Sequence, residues 1–290
     1  MVNLDKKRVS PVKIGSVTYP NPIWLASGTV AFGAELSEIL DLNMLGGIVL
    51  KGTTLEPREG NPPPRLVETP SGLLNAIGLQ NPGVEGLIKD KLPFLKQFKV
   101  PVILNIAGKH EDEYVSIVQR VAEEAEVQGY ELNLSCPNVE NGLDLGTDPQ
   151  WVESVVKKVK KVAGNVPVLA KITPNVTRIT DLSKAAENGG ADAISLINTL
   201  VGMAFNTHTQ QPILANKIGG LSGPAIRPVA IRMVYQVRQT TSLPIVGMGG
   251  IMNQHDVDEF YIAGADCVQL GTLNFVDIHQ LRSLINTAQS

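Results

Sequence analysis

The fold of this chain is most constrained by a short apolar run, rich in β-branched residues, that recurs eight times with Gly, Asn, Ser or Lys at or near its end. Segments of helical periodicity alternate with these runs along the chain. The runs are PIWLASG (22–28), GIVLKGT (47–53), PVILNIAG (101–108), YELNLSC (130–136), PVLAKIT (167–173), ADAISLIN (191–198), PIVGMGG (244–250) and ADCVQLGT (265–272). Helices are expected near residues 34–44, 83–97, 110–127, 149–163, 179–189, 225–240, 253–263 and 275–287. This alternation predicts an α/β fold of the (β/α)8 TIM-barrel type rather than an open doubly wound sheet.

Outside this alternation lie a short N-terminal segment and two long connections. Residues 11–20 predict a short N-terminal β-hairpin ahead of the first barrel strand. No break in composition marks a second domain, so residues 1–290 are predicted to form one domain, of a length normal for an α/β barrel. The long connections are residues 51–83, after the second run, and residues 198–223, after the sixth. Long connections at the C-terminal face of a barrel usually build the functional site.

Composition and charge argue against several classes of function. A formal net charge of -3 disfavours nucleic acid or an anionic membrane as the main partner, and 4% aromatic residues provide few stacking platforms for single-stranded nucleic acid. No apolar run approaches the roughly 18 residues that a membrane-spanning helix needs. The two cysteines can neither form a disulfide framework nor hold zinc or an iron–sulfur cluster by themselves. We therefore expect a reduced, cytoplasmic, globular protein that uses neither nucleic acid nor a membrane.

Polar residues at the ends of the strands are the candidates for a site, because barrel strands direct such groups into the C-terminal mouth. Lys51 and Lys171 each follow an apolar run directly, and two buried ammonium groups imply an anionic ligand between them. Amide side chains offer both donors and an acceptor, which suits a planar ligand with a mixed edge, such as a pyrimidine or a flavin ring. The polar strand ends are Ser27, Lys51, Asn105, Asn133, Lys171, Asn198, Gly249–Gly250 and Gly271–Thr272.

Glycines end the last two runs, in GMGGI (247–251) and LGTLNF (270–275). Glycine lets the backbone approach a ligand closely, and a helix is predicted soon after each stretch. Barrels often bind phosphate at this position, after strands seven and eight. Neither stretch is a G-x-G-x-x-G fingerprint, so the sequence does not indicate an NAD site on this chain.

Cys136 follows the fourth run and enters a loop with Pro137 and Asn138, whereas Cys267 lies inside the eighth run. Cys267 is therefore expected to be buried and inert, and Cys136 is a candidate base or nucleophile above a polar pocket. A cysteine hydrolase would need a histidine at a strand end, and none of the four histidines is predicted there. A Schiff-base aldolase using a strand-borne lysine remains an alternative, although the asparagines favour a bound planar cofactor.

Several motifs together resemble those of the class 1 dihydroorotate dehydrogenases, in the expected order and over nearly the whole chain. The closest resemblance is to the class 1B catalytic subunit, through LNAIGLQNPG and LANKIGGLSGPAI. The motifs are KGTTLEPREGNPPPR (51–65), NAIGLQNPG (75–83), ELNLSCPN (131–138), INTLVGM (197–203), QPILANKIGGLSGPAI (211–226) and IVGMGGI (245–251).

The resemblance implies oxidation of dihydroorotate to orotate in pyrimidine biosynthesis, with FMN as the hydride acceptor and no metal. Cys136 would remove the proton from C5 while the hydride from C6 passes to N5 of FMN. The substrate would be held by Lys51, Asn75, Ile77, Gly78, Leu79, Asn133, Asn138, Asn198 and Thr199. The flavin would be held by Ser27, Lys51, Gly52, Asn105, Asn133, Lys171, Ile197 and Gly223, and its phosphate by Gly249, Gly250, Gly271 and Thr272.

The resemblance also implies partners and leaves alternatives open. In class 1B a second subunit with FAD and a 2Fe–2S cluster passes the electrons to NAD⁺, and a homodimer of catalytic subunits joined by two such partners forms a heterotetramer. A class 1A enzyme would instead use fumarate directly, with no partner subunit. A barrel that binds flavin without turnover would keep the glycines and asparagines but would not need Cys136.

Overall fold

A computed structural model describes residues 2–135 and 145–289 of the chain. Eight parallel strands close into a barrel, each paired with the next in chain order, and the eighth pairs with the first. The barrel strands, numbered here from first to eighth, are Ile23–Leu25, Gly47–Val49, Val102–Ile106, Gly129–Asn133, Val168–Lys171, Ala193–Leu196, Ile245–Met248 and Cys267–Leu270. Each lies within the run predicted for it apart from Gly129, and the predicted TIM-barrel fold is confirmed.

Helices surround the barrel and supply the larger of its two main apolar clusters, packed against the outward-facing side chains of the strands. The α-helices are Leu4–Val9, Ala34–Ser37, Gly83–Gly86, Leu92–Leu95, Glu111–Glu124, Pro149–Val162, Ile179–Asn188, Arg227–Arg238, Gln254–Ala263, Leu273–Val276 and Ile278–Thr287. Short 3₁₀ turns lie at Leu42–Met44, Leu145–Thr147 and Pro224–Ile226. The helix Leu4–Val9 was not predicted; Lys7 and Arg8 attach it to Asp266 and Asp258.

Three predicted helices differ from the expected single segments. The segment 275–287 is interrupted at the extended residue Asp277, between the helices Leu273–Val276 and Ile278–Thr287. Over residues 34–44 the α-helix ends at Ser37, and Asp41 then caps a separate 3₁₀ turn by accepting from the backbone N–H of Asn43. Over residues 83–97 the helix contains a π segment, Leu87–Lys91, in which the N–H of Leu92 donates to the carbonyl of Leu87. Pro93 has no N–H to donate, so the regular hydrogen-bond ladder is interrupted at this point.

The two ends of the barrel are closed differently. At the N-terminal end, strands Val12–Ile14 and Val17–Tyr19 form the predicted antiparallel hairpin. Its side chains join an apolar cluster with inward-facing residues of the barrel strands, and the ring of Tyr19 lies 4.4 Å from that of Trp24. The hairpin therefore plugs this end with apolar side chains, which leaves the opposite end for a site.

At the C-terminal end, the two long connections fold together into a four-stranded antiparallel sheet, here called the cap sheet, which the sequence analysis did not predict. Its strands are Leu66–Thr69, Gly72–Asn75, Leu200–Met203 and Ile218–Ser222. A separate two-stranded ribbon pairs Phe205–Asn206 with Gln211–Pro212. The cap sheet packs its inner face around Leu74, Ala76 and Leu214, so the two connections form one structure at the mouth of the barrel.

Candidate active site

The carboxyl ends of the strands bring most of the predicted polar residues to the same mouth. Ser27 follows the first strand, and its hydroxyl donates to the carbonyl of Leu50 at the end of the second, over 2.7 Å. Ile197 follows the sixth strand, and its N–H donates to the carbonyl of Met248 on the seventh, over 3.1 Å. These contacts fix the strand ends against each other and leave the mouth between them.

Lys171 does not depend on a ligand for a counter-charge. Its Nζ lies 3.4 Å from Oε1 of Glu131, a carboxylate that is 0% exposed inside the barrel. The argument from two buried ammonium groups therefore applies to Lys51 alone. Glu131 was not singled out in the sequence analysis, although a charged residue in the middle of a parallel strand, where both faces are buried, is a signal that points to it.

Lys51, unlike Lys171, has no carboxylate partner among the residues that the structure describes. It is partly buried, and its Nζ lies 3.7 Å from the position that a Cβ on Gly28 would occupy. Burial lowers the pKa of Lys51, and the positive charge of Arg65 lowers it further. The mouth therefore carries positive charge that is not neutralised by the described residues, as an anionic ligand requires.

Amide and hydroxyl groups from the ends of the fourth and sixth strands and from the cap sheet meet at the mouth. Asn198 donates from Nδ2 to Oδ1 of Asn133 over 3.2 Å, and its own Oδ1 accepts from the backbone N–H of Thr199 over 2.8 Å. Asn75 donates to the carbonyl of Gly220 over 3.2 Å. A Cβ on Gly220 would lie 2.1 Å from Oγ1 of Thr199, so the cap sheet carries Asn75 and Thr199 to the same place.

Asn175, which the sequence analysis did not single out, follows the fifth strand and fixes the backbone around Thr199. Its Nδ2 donates to the carbonyl of Thr199 over 3.1 Å, and its Oδ1 accepts from the N–H of Val201 over 3.0 Å. The two atoms contact the backbone at the beginning of the cap-sheet strand Leu200–Met203 and just before it. Asn175 therefore acts on the position of Thr199 rather than offering its own amide to the mouth.

The turn Ile77–Gly78–Leu79 reaches the mouth in a constrained backbone conformation. Gly78 and Leu79 have φ values of 77° and 54°, and the carbonyl of Ile77 accepts from the N–H of Asn61 over 3.0 Å. Cδ2 of Leu79 lies 3.2 Å from the position of a Cβ on Gly52. The turn therefore presents Leu79 to the end of the second strand.

The predicted phosphate glycines divide into two kinds. A Cβ on Gly250 would lie 2.6 Å from the carbonyl oxygen of Gly223, and one on Gly249 would lie 3.0 Å from Cβ of Ala230, so these glycines are required by close packing of the loops. Gly271 is different, since its nearest neighbour, Cβ of Ala26, lies 3.7 Å away. A side chain there would meet only ordinary van der Waals contacts, beside Thr272, whose hydroxyl bonds to that of Ser222 at 3.0 Å.

These features fit a flavin, a cofactor that the resemblance implies. Oδ1 of Asn105 and Oε1 of Gln269 are buried acceptors with no hydrogen-bond partner in the described part of the chain, and the single ring N–H of an oxidised flavin would satisfy one such atom. A Cβ on Gly52 would lie 2.9 Å from Oδ1 of Asn105. The backbone at Gly271 is less crowded than that at Gly249 or Gly250, which suits the approach of a second polar group of the ligand.

Cys136 and Asn138 lie outside the described residues, so their predicted roles remain predictions. Cys267 is fully buried, and burial raises the pKa of its thiol well above the usual value, which agrees with an inert packing role. Among the helices in residues 2–135 and 145–289, none is long and apolar enough to cross a membrane.

Comparison with known proteins places this geometry in context. The family model described as dihydroorotate dehydrogenase matches residues 10–288. Proteins named dihydroorotate dehydrogenase B (NAD(+)), catalytic subunit, are similar along most of their length. The protein from Listeria welshimeri is 53% identical over 92% of this chain and 88% of its own length. Those from Bacillus pumilus and Bacillus cytotoxicus are 51% and 50% identical, over 92% and 95% of this chain and 86% and 91% of their own lengths.

Proposed function

The chain belongs to the dihydroorotate dehydrogenase family, and on this premise we propose that it is the catalytic subunit of a class 1B enzyme that oxidises dihydroorotate to orotate. The observation that carries the proposal is Lys51, a cation without a carboxylate among the described residues, at a mouth lined by amides. Dihydroorotate carries a carboxylate and a ring with amide-like edges, which match a cation and amide side chains. The Schiff-base aldolase alternative has no support from the family.

The residues at the mouth would bind the substrate through an ion pair to its carboxylate and hydrogen bonds to its ring. Lys51 would bind the carboxylate, and Asn75, Asn133, Asn198 and Thr199 would bond to the ring. The turn Ile77–Gly78–Leu79 would close over one side, and Asn138 would add a further amide. The main contribution of such groups is to hold the substrate ring in one orientation. The entropy cost of aligning the ring with FMN is then met on binding rather than in the reaction step.

FMN would be held along the other side of the mouth, by Ser27, Lys51, Gly52, Asn105, Asn133, Lys171, Ile197 and Gly223. Gly249, Gly250, Gly271 and Thr272 would surround its phosphate. When bound, FMN would supply the acceptor for the hydride that leaves C6 of dihydroorotate. Lys171 would offer a fixed positive charge to the ring.

Cys136 would take the proton from C5 of the substrate. A thiol has a reference pKa of about 8.5, so only a small fraction is thiolate at neutral pH. Turnover is therefore expected to rise with pH until the thiolate is formed or another step limits the rate. A flat profile across that range would contradict this role.

We also propose a cytoplasmic location, a homodimer of this chain, and a partner subunit with FAD and a 2Fe–2S cluster that passes electrons to NAD⁺ and completes a heterotetramer. The phrase "catalytic subunit" in the names of the relatives supports a separate partner. A class 1A enzyme that reduces fumarate directly is the second candidate, since its chemistry at the substrate is the same.

The test begins with the purified chain and its flavin spectrum. Anaerobic dihydroorotate should bleach the flavin in the wild type, and the bleaching rate should collapse in Cys136→Ala and be greatly reduced in Cys136→Ser. Fumarate and NAD⁺ are then offered separately to the reduced protein. Reoxidation by fumarate would move the assignment to class 1A, and failure with both would support the missing partner. No flavin, or no bleaching in the wild type, would overturn the proposed function.

A further inference from the structure

Four polar side chains form a connected group in the interior of the barrel, directly below the mouth. Asn105, Glu131, Lys171 and Gln269 are 1%, 0%, 6% and 0% exposed. They come from the third, fourth, fifth and eighth strands, and the inward-facing side chains nearer the hairpin are apolar. Burying charges is costly unless they are paired and hydrogen-bonded, so the contacts inside this group decide whether it is stable.

Glu131 is the centre of the group because its two oxygens serve all three partners. Oε1 accepts from Nδ2 of Asn105 over 2.8 Å and lies 3.4 Å from Nζ of Lys171. Oε2 accepts from Nε2 of Gln269 over 2.7 Å. The carboxylate and the ammonium cancel, so the group as a whole is neutral before any ligand binds.

The carboxylate also decides which way both amides face. An ionised carboxylate only accepts hydrogen bonds, so Asn105 and Gln269 must each turn an NH₂ group toward Glu131. Their oxygens, Oδ1 of Asn105 and Oε1 of Gln269, are then left as buried acceptors without a partner among the described residues. Both oxygens lie in the protein interior, so the two amides are held in this orientation below the mouth.

We propose that Glu131 is a positioning residue for the cofactor: it holds the ammonium of Lys171 at the barrel floor and fixes the side chains of Asn105 and Gln269 around it, beneath the ring that FMN would place there. This inference rests on the proposed binding of FMN. Glu131 acts through its three partners, and its charge opposes that of Lys171, so it limits how strongly the site favours a ring that gains negative charge on reduction.

The test is the midpoint potential of the flavin, measured on protein saturated with FMN. Glu131→Gln leaves the ammonium of Lys171 without its counter-charge, so the potential should become more positive. Lys171→Met leaves the carboxylate without its counter-charge, so the potential should become more negative. A tenfold change in the relative stability of the two redox states corresponds to about 30 mV for a two-electron couple. The double variant should lie between the two single variants.

The matched control is Glu126→Gln, which removes the same charge from an exposed position just ahead of the fourth strand. It should leave the potential unchanged. A merely structural role of Glu131 would lower the thermal midpoint and the flavin content without moving the potential of the saturated protein, and shifts of the same sign in Glu131→Gln and Lys171→Met would likewise overturn the proposal.

The orientation of the amides is tested by FMN affinity. Glu131→Gln and Asn105→Ala should each raise the dissociation constant of FMN about tenfold. Glu131 acts on FMN through Asn105. The double variant should therefore raise the dissociation constant of FMN by less than the product of the two single increases. Multiplicative effects would contradict the coupling. A wild-type chain that binds no FMN would overturn the proposed function and this inference together, whereas flavin binding with an unshifted potential would overturn this inference alone.

Discussion

Nδ2 of Asn198 donates a hydrogen bond of 3.2 Å to Oδ1 of Asn133, which joins the ends of the sixth and fourth strands across the mouth of the barrel. The same oxygen accepts from the backbone N–H of Ser135 over 3.3 Å. Ser135 is the last described residue before Cys136. Asn133 therefore couples the sixth strand to the beginning of the connection that carries the proposed base.

Asn198→Asp should lower kcat/KM for dihydroorotate by about 100-fold, since a hydrogen bond from Asn198 to the anionic substrate would contribute about 1.5–3 kcal/mol. The aspartate cannot donate to Asn133, and it places a negative charge beside an anionic substrate. Steady-state kinetics and thermal unfolding check this, with Asn165→Asp, an exposed position at the other end of the barrel, as the control. An unchanged kcat/KM in Asn198→Asp would contradict the role.

Lys51→Met should abolish substrate binding and yet stabilise the protein without ligand. Burial lowers the pKa of Lys51, so the folded state disfavours the charged form. This cost is present below the lowered pKa and disappears as the pH rises from there toward the ordinary value of about 10.4. The gain in the unfolding midpoint should therefore be largest near neutral pH and shrink above it. A lower midpoint at pH 7 would show that Lys51 has a stabilising partner.

Gly271→Ala should fold like the wild type but bind FMN at least tenfold more weakly. A Cβ at this position meets nothing closer than 3.7 Å within the protein, so any loss of FMN affinity must come from contact with the ligand. Fluorescence titration with FMN and thermal unfolding of the protein without flavin separate the two effects. Gly250→Ala is the contrast, because its Cβ would lie 2.6 Å from the carbonyl of Gly223 and should destabilise the fold directly. Equal FMN affinity in Gly271→Ala and the wild type would show that Gly271 is not part of the cofactor site.

Asp256→Asn should lower the free energy of unfolding by about 1–3 kcal/mol and weaken FMN binding. Asp256 is 1% exposed, pairs with Arg227, and accepts from the N–H of Met252 over 2.8 Å, so it holds the turn that follows Gly250. Urea unfolding measures the first effect. The exposed Arg178–Asp181 pair gives the comparison: Asp181→Asn should change stability by less than about 1 kcal/mol. Similar losses at the two positions would show that the turn does not depend on Asp256.

The prediction of the barrel succeeded where local patterns carry the information. Runs such as PVILNIAG are apolar on both faces, which is the property of strands in a closed parallel barrel, and the following polar residue marks the mouth. The cap sheet was not predicted, because Leu200–Met203 and Ile218–Ser222 pair with residues of the other long connection. Such pairing depends on contacts between residues far apart in the sequence, which local patterns do not reveal.

The sequence by itself determined the barrel, the order of its strands and the residues at the mouth, since side-chain alternation and turn residues act over a few positions. Only the tertiary structure decided that Lys171 is neutralised and Lys51 is not. Glu131 is separated from Gln269 by 138 residues, and closure of the barrel is what brings the two side chains together. In a low-dielectric interior such a contact decides the charge that a ligand meets, and no local pattern encodes it.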